Sequence, residues 1–284
     1  MTNPVIVPSR DGVQITVHHL GPDHGTGRPI LMMLHATGFH GHIWQPVADH
    51  LVDDFDCWSF DFRGHGHSPL PTSTTPVTWD RMVADALAVI GAVTDVPVLA
   101  VGWSMGGAAV VGVDMAFPGI IKAAYLYEPI LFPAAPEGSA PLGNPLAEIA
   151  RRRRAEFDSY DDAFQHYAAK PPFDSATPEA LRVYVDYGFE PTPDGKVTLR
   201  CRPETESNVF GGWIPNMFDD FANTTMPVTI ARSGDQFGPA EFAPLIANQR
   251  SDVPLETFEE LSHFGPMEDP GQIAEAIKKN LANL

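Results

Sequence analysis

The stretch Val98-Leu99-Ala100-Val101-Gly102-Trp103-Ser104-Met105-Gly106-Gly107 decides the fold. An apolar run leads into a serine set between two glycines, Gly102-x-Ser104-x-Gly106, and a small-residue stretch from Ala108 to Ala116 follows. The pattern describes a strand that turns sharply into a helix, with Ser104 at the apex in a strained backbone conformation. Its hydroxyl would stand above the end of a sheet. The helix N-terminus behind it favours developing negative charge. Without the flanking strand and helix, glycine and serine at this spacing would carry little weight, since an ordinary turn can hold them too.

Working outward, the residues before this stretch read as repeated strand–helix units. Residues 4–9 and 13–20 form two short strands around the turn Arg10-Asp11-Gly12. Ile30-Leu31-Met32-Met33-Leu34 is a continuous apolar run, as in a strand buried on both faces. A short helix is expected over 43–51, a strand over 56–61 and an amphipathic helix over 79–93. After the Ser104 stretch a strand over 121–127 ends at Glu128-Pro129. This order predicts an α/β chain with a mostly parallel sheet and helices on both faces.

The pattern changes near Ile130. Residues 132–145 are rich in Pro, Gly and Ala and read as a linker, and 146–221 are helical, strand-poor and aromatic-rich. A strand over 226–231, a helix over 239–249, a strand over 253–258 and a helix over 271–281 then restore the alternation. The predicted organisation is a core of 1–129 and 223–284 with a helical insertion at 130–222. Arg151 to Arg154, the only basic run, reads as a solvated helix face rather than an anion site.

Composition narrows the function classes. The 284 residues suit one large core with an insertion, and 44% of them are apolar. With 36 Asp+Glu against 18 Lys+Arg the net charge is −18, which repels nucleic acid and anionic membranes, so neither is an expected partner. No stretch approaches the ~20 apolar residues of a membrane span. Met1-Thr2-Asn3-Pro4 has no basic, apolar leader pattern. Cys57 and Cys201 lie far apart and form no metal-ligand pattern, so buried thiols in a reduced, cytoplasmic setting are expected. A homo-oligomer is compatible with the sequence.

A serine hydroxyl is a weak nucleophile at neutral pH. It needs a base in hydrogen-bond reach, a carboxylate to orient that base, and donors for the oxyanion. Of 11 histidines, His263 lies in Leu261-Ser262-His263-Phe264-Gly265-Pro266, on a loop after the last strand, where an imidazole can reach over the serine. His18, His19, His24, His50 and His166 have surface or packing settings. Asp235, in Ser233-Gly234-Asp235, follows a strand and precedes His263, which makes it the expected acid; a turn or N-cap role would suit it too. Glu128, ending the strand before the insertion, is the rival. The Met105 N–H and the Thr37 N–H are the expected oxyanion donors.

These residues carry a resemblance. The chain resembles the α/β-hydrolase superfamily in three motifs, in order. They are His35-Ala36-Thr37-Gly38 against the family's His-Gly oxyanion loop, Asp61-Phe62-Arg63-Gly64-His65-Gly66-His67-Ser68 against its D-x-R-G-x-G-x-S turn, and Gly102-Trp103-Ser104-Met105-Gly106-Gly107 against its nucleophile elbow. The resemblance implies a mostly parallel eight-stranded sheet, a helical lid formed by the insertion, and structural roles for Arg63 and His65. Two departures stand out: Ala36 replaces the usual glycine, tolerable where φ is negative, and Gly234 and Asp235 are closer together than in the family.

Serine rather than aspartate at the elbow favours acyl transfer over halide displacement or epoxide opening. The expected substrate is an uncharged, largely apolar ester or lactone, with Phe39, Trp103, Glu128, Trp213 and Phe264 as candidate contacts. No cofactor or metal is called for. Three other readings fit the same residues: cleavage of a carbon–carbon or amide bond, a cofactor-free haloperoxidase or perhydrolase side activity, and a non-catalytic ligand receptor.

Overall fold

A computed structural model gives the architecture. It describes residues 5–22, 27–72, 75, 77–133, 144–282 and 284. Most of the expected Pro/Gly/Ala linker, His24 and the first four residues lie outside that set.

The chain opens with strands β1 (Val5–Pro8), β2 (Gln14–His19) and β3 (Ile30–Leu34). A 3-10 turn (Gly41–Trp44) runs into the short helix α1 (Gln45–Ala48), where one longer helix was expected. Then come β4 (Asp56–Phe60), α2 (Trp79–Val93), β5 (Val98–Trp103), α3 (Met105–Ala116) and β6 (Ile121–Tyr127). After β6 the chain leaves the sheet for α4 (Pro145–Arg151), β7 (Glu156–Phe157), α5 (Tyr160–Ala168), α6 (Pro178–Gly188), β8 (Phe189–Pro191), β9 (Val197–Leu199), α7 (Pro203–Phe210) and α8 (Met217–Asp220). It returns through β10 (Val228–Ser233), α9 (Pro239–Ala247), β11 (Leu255–Phe258), α10 (Gly265–Glu268) and α11 (Pro270–Leu281).

The eight-stranded sheet runs β1-β2-β4-β3-β5-β6-β10-β11. Only the β1–β2 and β2–β4 pairs are antiparallel; the other pairs are parallel. The small sheet β7-β9-β8 within the insertion is antiparallel and was not foreseen.

Strand periodicity builds two cores, one per face of the large sheet. Leu31 and Met33, Leu99, Val101 and Trp103, and Tyr125 and Tyr127 point to one side; Met32 and Leu34, Val98 and Ala100, and Ala124 and Leu126 point to the other. Both faces are covered, which is why these strands read as unbroken apolar runs. Phe157, Tyr167, Tyr184 and Phe189 of the insertion join the same cluster as Phe39 and Trp103. The insertion is therefore packed onto the C-terminal ends of the central strands through aromatic side chains.

Several histidines are buried in this core. His40 is 1% exposed, and burial pushes it from 6.5 down to about 4; the Asp61 charge and the Tyr184 carbonyl recover only part of the loss. Burial also lowers His35 and His65. The unfolded chain binds a proton at His40 near pH 6.5 while the folded chain waits until about pH 4. Stability is therefore lost as pH falls through that window, by about 3 kcal/mol for His40 alone. Urea midpoints between pH 7 and pH 4 are expected to fall steeply, and a His40→Gln variant should show a shallower dependence. An equal pH dependence in the variant would exclude His40 as the source.

Candidate active site

The site is assembled at the ends of three neighbouring strands. Trp103 is in register with Tyr127, and Tyr127 with Ala231. Ser104 and Glu128 each follow one of these paired residues, so they leave the sheet side by side, about one strand spacing apart. Ser104 sits at φ 58, ψ −118, in a region that non-glycine residues avoid, and it is 5% exposed. Its N–H donates to the Tyr127 carbonyl at 3.0 Å, while its own carbonyl accepts from Ala108 and Ile130 at 3.2 Å each. Those bonds hold the strained turn.

Glu128 also has a positive φ, of 46°. Its side chain is buried and used at both oxygens: Oε1 accepts from the Ser233 N–H at 2.7 Å, and Oε2 lies 2.5 Å from His263 Nδ1. Burial pushes the Glu128 carboxyl up, but the bond and charge of His263 and the Ser233 N–H outweigh it and leave it below its ordinary value. A carboxylate at Nδ1 fixes the imidazole with its proton there and leaves Nε2 as an acceptor.

Asp235 does not reach His263, contrary to the expectation from chain order. Its N–H donates to Ser233 Oγ at 3.2 Å and its carbonyl accepts from Arg232 Nη2 at 2.7 Å. His263 Nδ1 is taken by Glu128 instead, which follows β6, the strand between β5 and β10 and next to the one that leads into Ser104. The Gly234 N–H donates to the Leu261 carbonyl at 3.2 Å, which ties the Asp235 turn to the start of the His263 loop.

The His263 loop is held mostly by its main chain. Trp103 Nε1–H donates to the His263 carbonyl at 2.8 Å, and the Tyr127 hydroxyl to the Ser262 carbonyl at 2.7 Å. Glu268 accepts from the Ser262 N–H at 2.7 Å and hydroxyl at 2.6 Å. These braces were missed in the sequence. Tyr127 had a signal, since it precedes Glu128 on a buried strand, whereas Glu268 had none.

The loop after β3 supplies the other wall. His35 is fully buried; its Nδ1–H donates to the Ala36 carbonyl at 2.8 Å and its Nε2 accepts from the Phe62 N–H at 3.0 Å. Ala36 has no positive φ, so its methyl is accommodated. Among the described residues, neither the Thr37 nor the Met105 N–H is bonded to a protein acceptor. Arg63 and His65 lie below. Arg63 is buried and bonded to Asp85 at 2.6 and 2.7 Å and to Asp11 at 2.8 and 3.1 Å, and His65 Nδ1–H donates to the Arg63 carbonyl at 3.0 Å.

The candidate substrate contacts divide. Phe39 stands 4.6 Å from the Trp103 ring and 5.9 Å from that of Phe264, and Phe264 lies 6.1 Å from His263. Trp103 is fully buried, so it braces His263 rather than offering a free wall. Glu128 is taken up by His263. Trp213 is 70% exposed and is not part of the buried cluster that holds Trp103. An aromatic-rich segment does not reveal which of its rings turn outward. No group of three or more His, Cys, Asp or Glu among the described residues is arranged to hold a metal ion.

A strained serine at a strand-to-helix turn, with a Glu–His pair beside it on a parallel sheet, defines the serine-elbow class of α/β enzymes. The model of the alpha/beta hydrolase family matches residues 31–276, and the chain belongs to that family. Among curated proteins, Lipase LipV of Mycobacterium tuberculosis is 32% identical over 117 residues, 41% of this chain and 42% of that one. A pimeloyl-[acyl-carrier protein] methyl ester esterase of Chromobacterium violaceum is 40% identical over 81 residues, 28% of each. These alignments span less than half of either relative's length. Over nearly the whole chain the fold is similar to that of E-2-(acetamidomethylene)succinate hydrolase, with TM-score 0.79 at 17% identity and 98% of each chain covered. It is equally similar to the thioesterase domain from the curacin biosynthetic pathway, with TM-score 0.79 at 19% identity, covering 98% of this chain and 99% of that one. No helix is long and apolar enough to cross a membrane among the described residues.

Proposed function

We propose that the protein hydrolyses a carboxylic ester or lactone through an acyl-enzyme on Ser104. The observation that carries this reading is the Glu128–His263 pair, 2.5 Å apart, at the strand end beside a serine held at φ 58. His263 Nε2 takes the Ser104 proton as Oγ attacks the carbonyl carbon. The tetrahedral oxyanion accepts from the Met105 and Thr37 N–H groups, each worth about 10²–10³ in rate. His263 then gives its proton to the departing alkoxide, and the acyl group stays on Ser104. Water repeats the sequence with His263 as base, releasing the acid and free Ser104. Glu128 stays ionised throughout, orienting the imidazole and stabilising its cation. Asp235 has no part.

The curated relatives named as a lipase and a methyl ester esterase support ester chemistry. Phe39 and Phe264 favour a small, largely apolar acyl group. We read residues 130–222 as a cap over the strand ends, since their aromatic residues pack with Phe39 and Trp103. The buried, unpaired thiols Cys57 and Cys201 suit a reducing compartment such as the cytoplasm.

The test is active-site labelling. A fluorophosphonate should attach once per chain, at Ser104 by peptide mass, with loss of p-nitrophenyl ester turnover in proportion to labelling. A protein that neither labels nor turns over p-nitrophenyl esters of two to eight carbons is not an acyl-transfer enzyme of this kind.

A further inference from the structure

The run Arg151–Arg154 divides into two kinds of arginine. Arg151 and Arg152 pair with Glu148 at 3.0 and 2.7 Å and Arg154 with Asp162 at 3.0 Å, all at the surface, as the charge run suggests. Arg153 turns inward instead. Its Nη1 donates to both oxygens of Glu206, at 2.9 and 2.7 Å, and its Nη2 donates to the Tyr167 hydroxyl at 3.0 Å and to the Tyr184 hydroxyl. The partners come from α7, α5 and α6, so one guanidinium ties three helices of the insertion together.

The same partners meet the loop after Thr37, residue by residue. Gly38 has φ +82, and a Cβ there would lie 2.5 Å from Glu206 Oε1 and 3.5 Å from Arg153 Nη1. Glu206 thus fills the space that any side chain at 38 would need. The Tyr184 ring is 5.3 Å from Phe39. His40 Nε2–H donates to the Tyr184 carbonyl at 3.2 Å. Three consecutive residues, 38, 39 and 40, rest on groups that Arg153 holds.

We propose that Arg153 is a positioning residue for the oxyanion loop, fixing Glu206 and Tyr184 so that the Thr37 N–H is aimed at the developing oxyanion. The proposal rests on the acyl-transfer reading above. Without the guanidinium, the Glu206 carboxylate is left buried without its partner, and it must take up a proton or swing toward water. Either response removes the support under Gly38. A small loop shift weakens a bond made fully only in the transition state, so kcat falls while KM holds.

The test uses the full chain with Arg153→Met, Arg153→Lys and Glu206→Gln. Arg200→Met is the control; it removes the insertion's Arg200–Glu190 pair, 3.2 Å apart, and the Arg200 side chain makes no hydrogen bond to residues 37–40. Arg153→Met is expected to lose about tenfold in kcat with KM within about twofold, and to be labelled by fluorophosphonate correspondingly more slowly. Lysine keeps the charge but cannot bridge a carboxylate and two hydroxyls, so Arg153→Lys should fall between. Arg200→Met should lower the melting temperature yet keep kcat. A folded Arg153→Met with wild-type kcat overturns the proposal, as does a loss of kcat that tracks melting temperature across all variants, the control included. If Arg153→Met does not fold, Glu206→Gln decides by the same split. A wild-type protein that is neither labelled nor active would instead defeat the acyl-transfer reading.

Discussion

Glu128→Gln is expected to lower kcat by about 10⁴-fold, while Asp235→Asn stays within about twofold of wild type. The loss follows from how the glutamine amide must sit. The Ser233 N–H at 2.7 Å claims the oxygen at the Oε1 position. The NH₂ group is then left facing His263 Nδ1, where the carboxylate stood at 2.5 Å. An amide donor there forces the imidazole proton onto Nε2, the atom that accepts the Ser104 proton in the proposed mechanism. The variant keeps volume and one hydrogen bond, so folding is largely spared and the loss is chemical. It also removes the negative charge that stabilises the imidazolium. Comparing kcat for p-nitrophenyl esters in both variants checks this. If Asp235→Asn lost more activity than Glu128→Gln, the acid would have to be reassigned.

Gly106→Ala is expected to cost about 3 kcal/mol of stability and, in the protein that folds, about 100-fold in kcat. A Cβ at 106 would press on the Leu34 carbonyl and lie 2.9 Å from the His35 carbonyl oxygen. Both are backbone atoms, and neither can rotate away. Leu34 is the last residue of β3, and His35 is locked between Ala36 and Phe62. The only relief is to move the elbow away from the loop that carries Thr37, which separates the two N–H groups proposed as oxyanion donors. Gly91→Ala is the matched control. It lies within α2 with nothing within 4 Å of an added Cβ, and it should be neutral or slightly stabilising. Urea unfolding and kcat on both variants distinguish a local collision from a general intolerance of alanine.

Much of the fold is legible in the sequence because its signals are local. Residues 79–93 form a helix with the expected bounds, and the elbow follows from glycines flanking a serine after an apolar run. Ser104 and His263 come to the same end of the sheet, as their positions after strands suggest. The choice of acid was not legible. Asp235 and Glu128 both end strands and both precede His263 in the chain. Only the register of β5 with β6 and of β6 with β10 separates them, and register is a tertiary fact. Trp213 and Arg153 fail in opposite directions for the same reason. An aromatic ring turns outward and a surface-type cation turns inward, and local sequence decides neither. For Arg153 the partner is Glu206, 53 positions away.

Trp103 and Tyr127 grip the carbonyls of His263 and Ser262, atoms that every residue possesses. These two bonds do not depend on which side chains the loop carries. A change of side chain at Leu261 or Phe264 leaves both of those carbonyl acceptors in the chain.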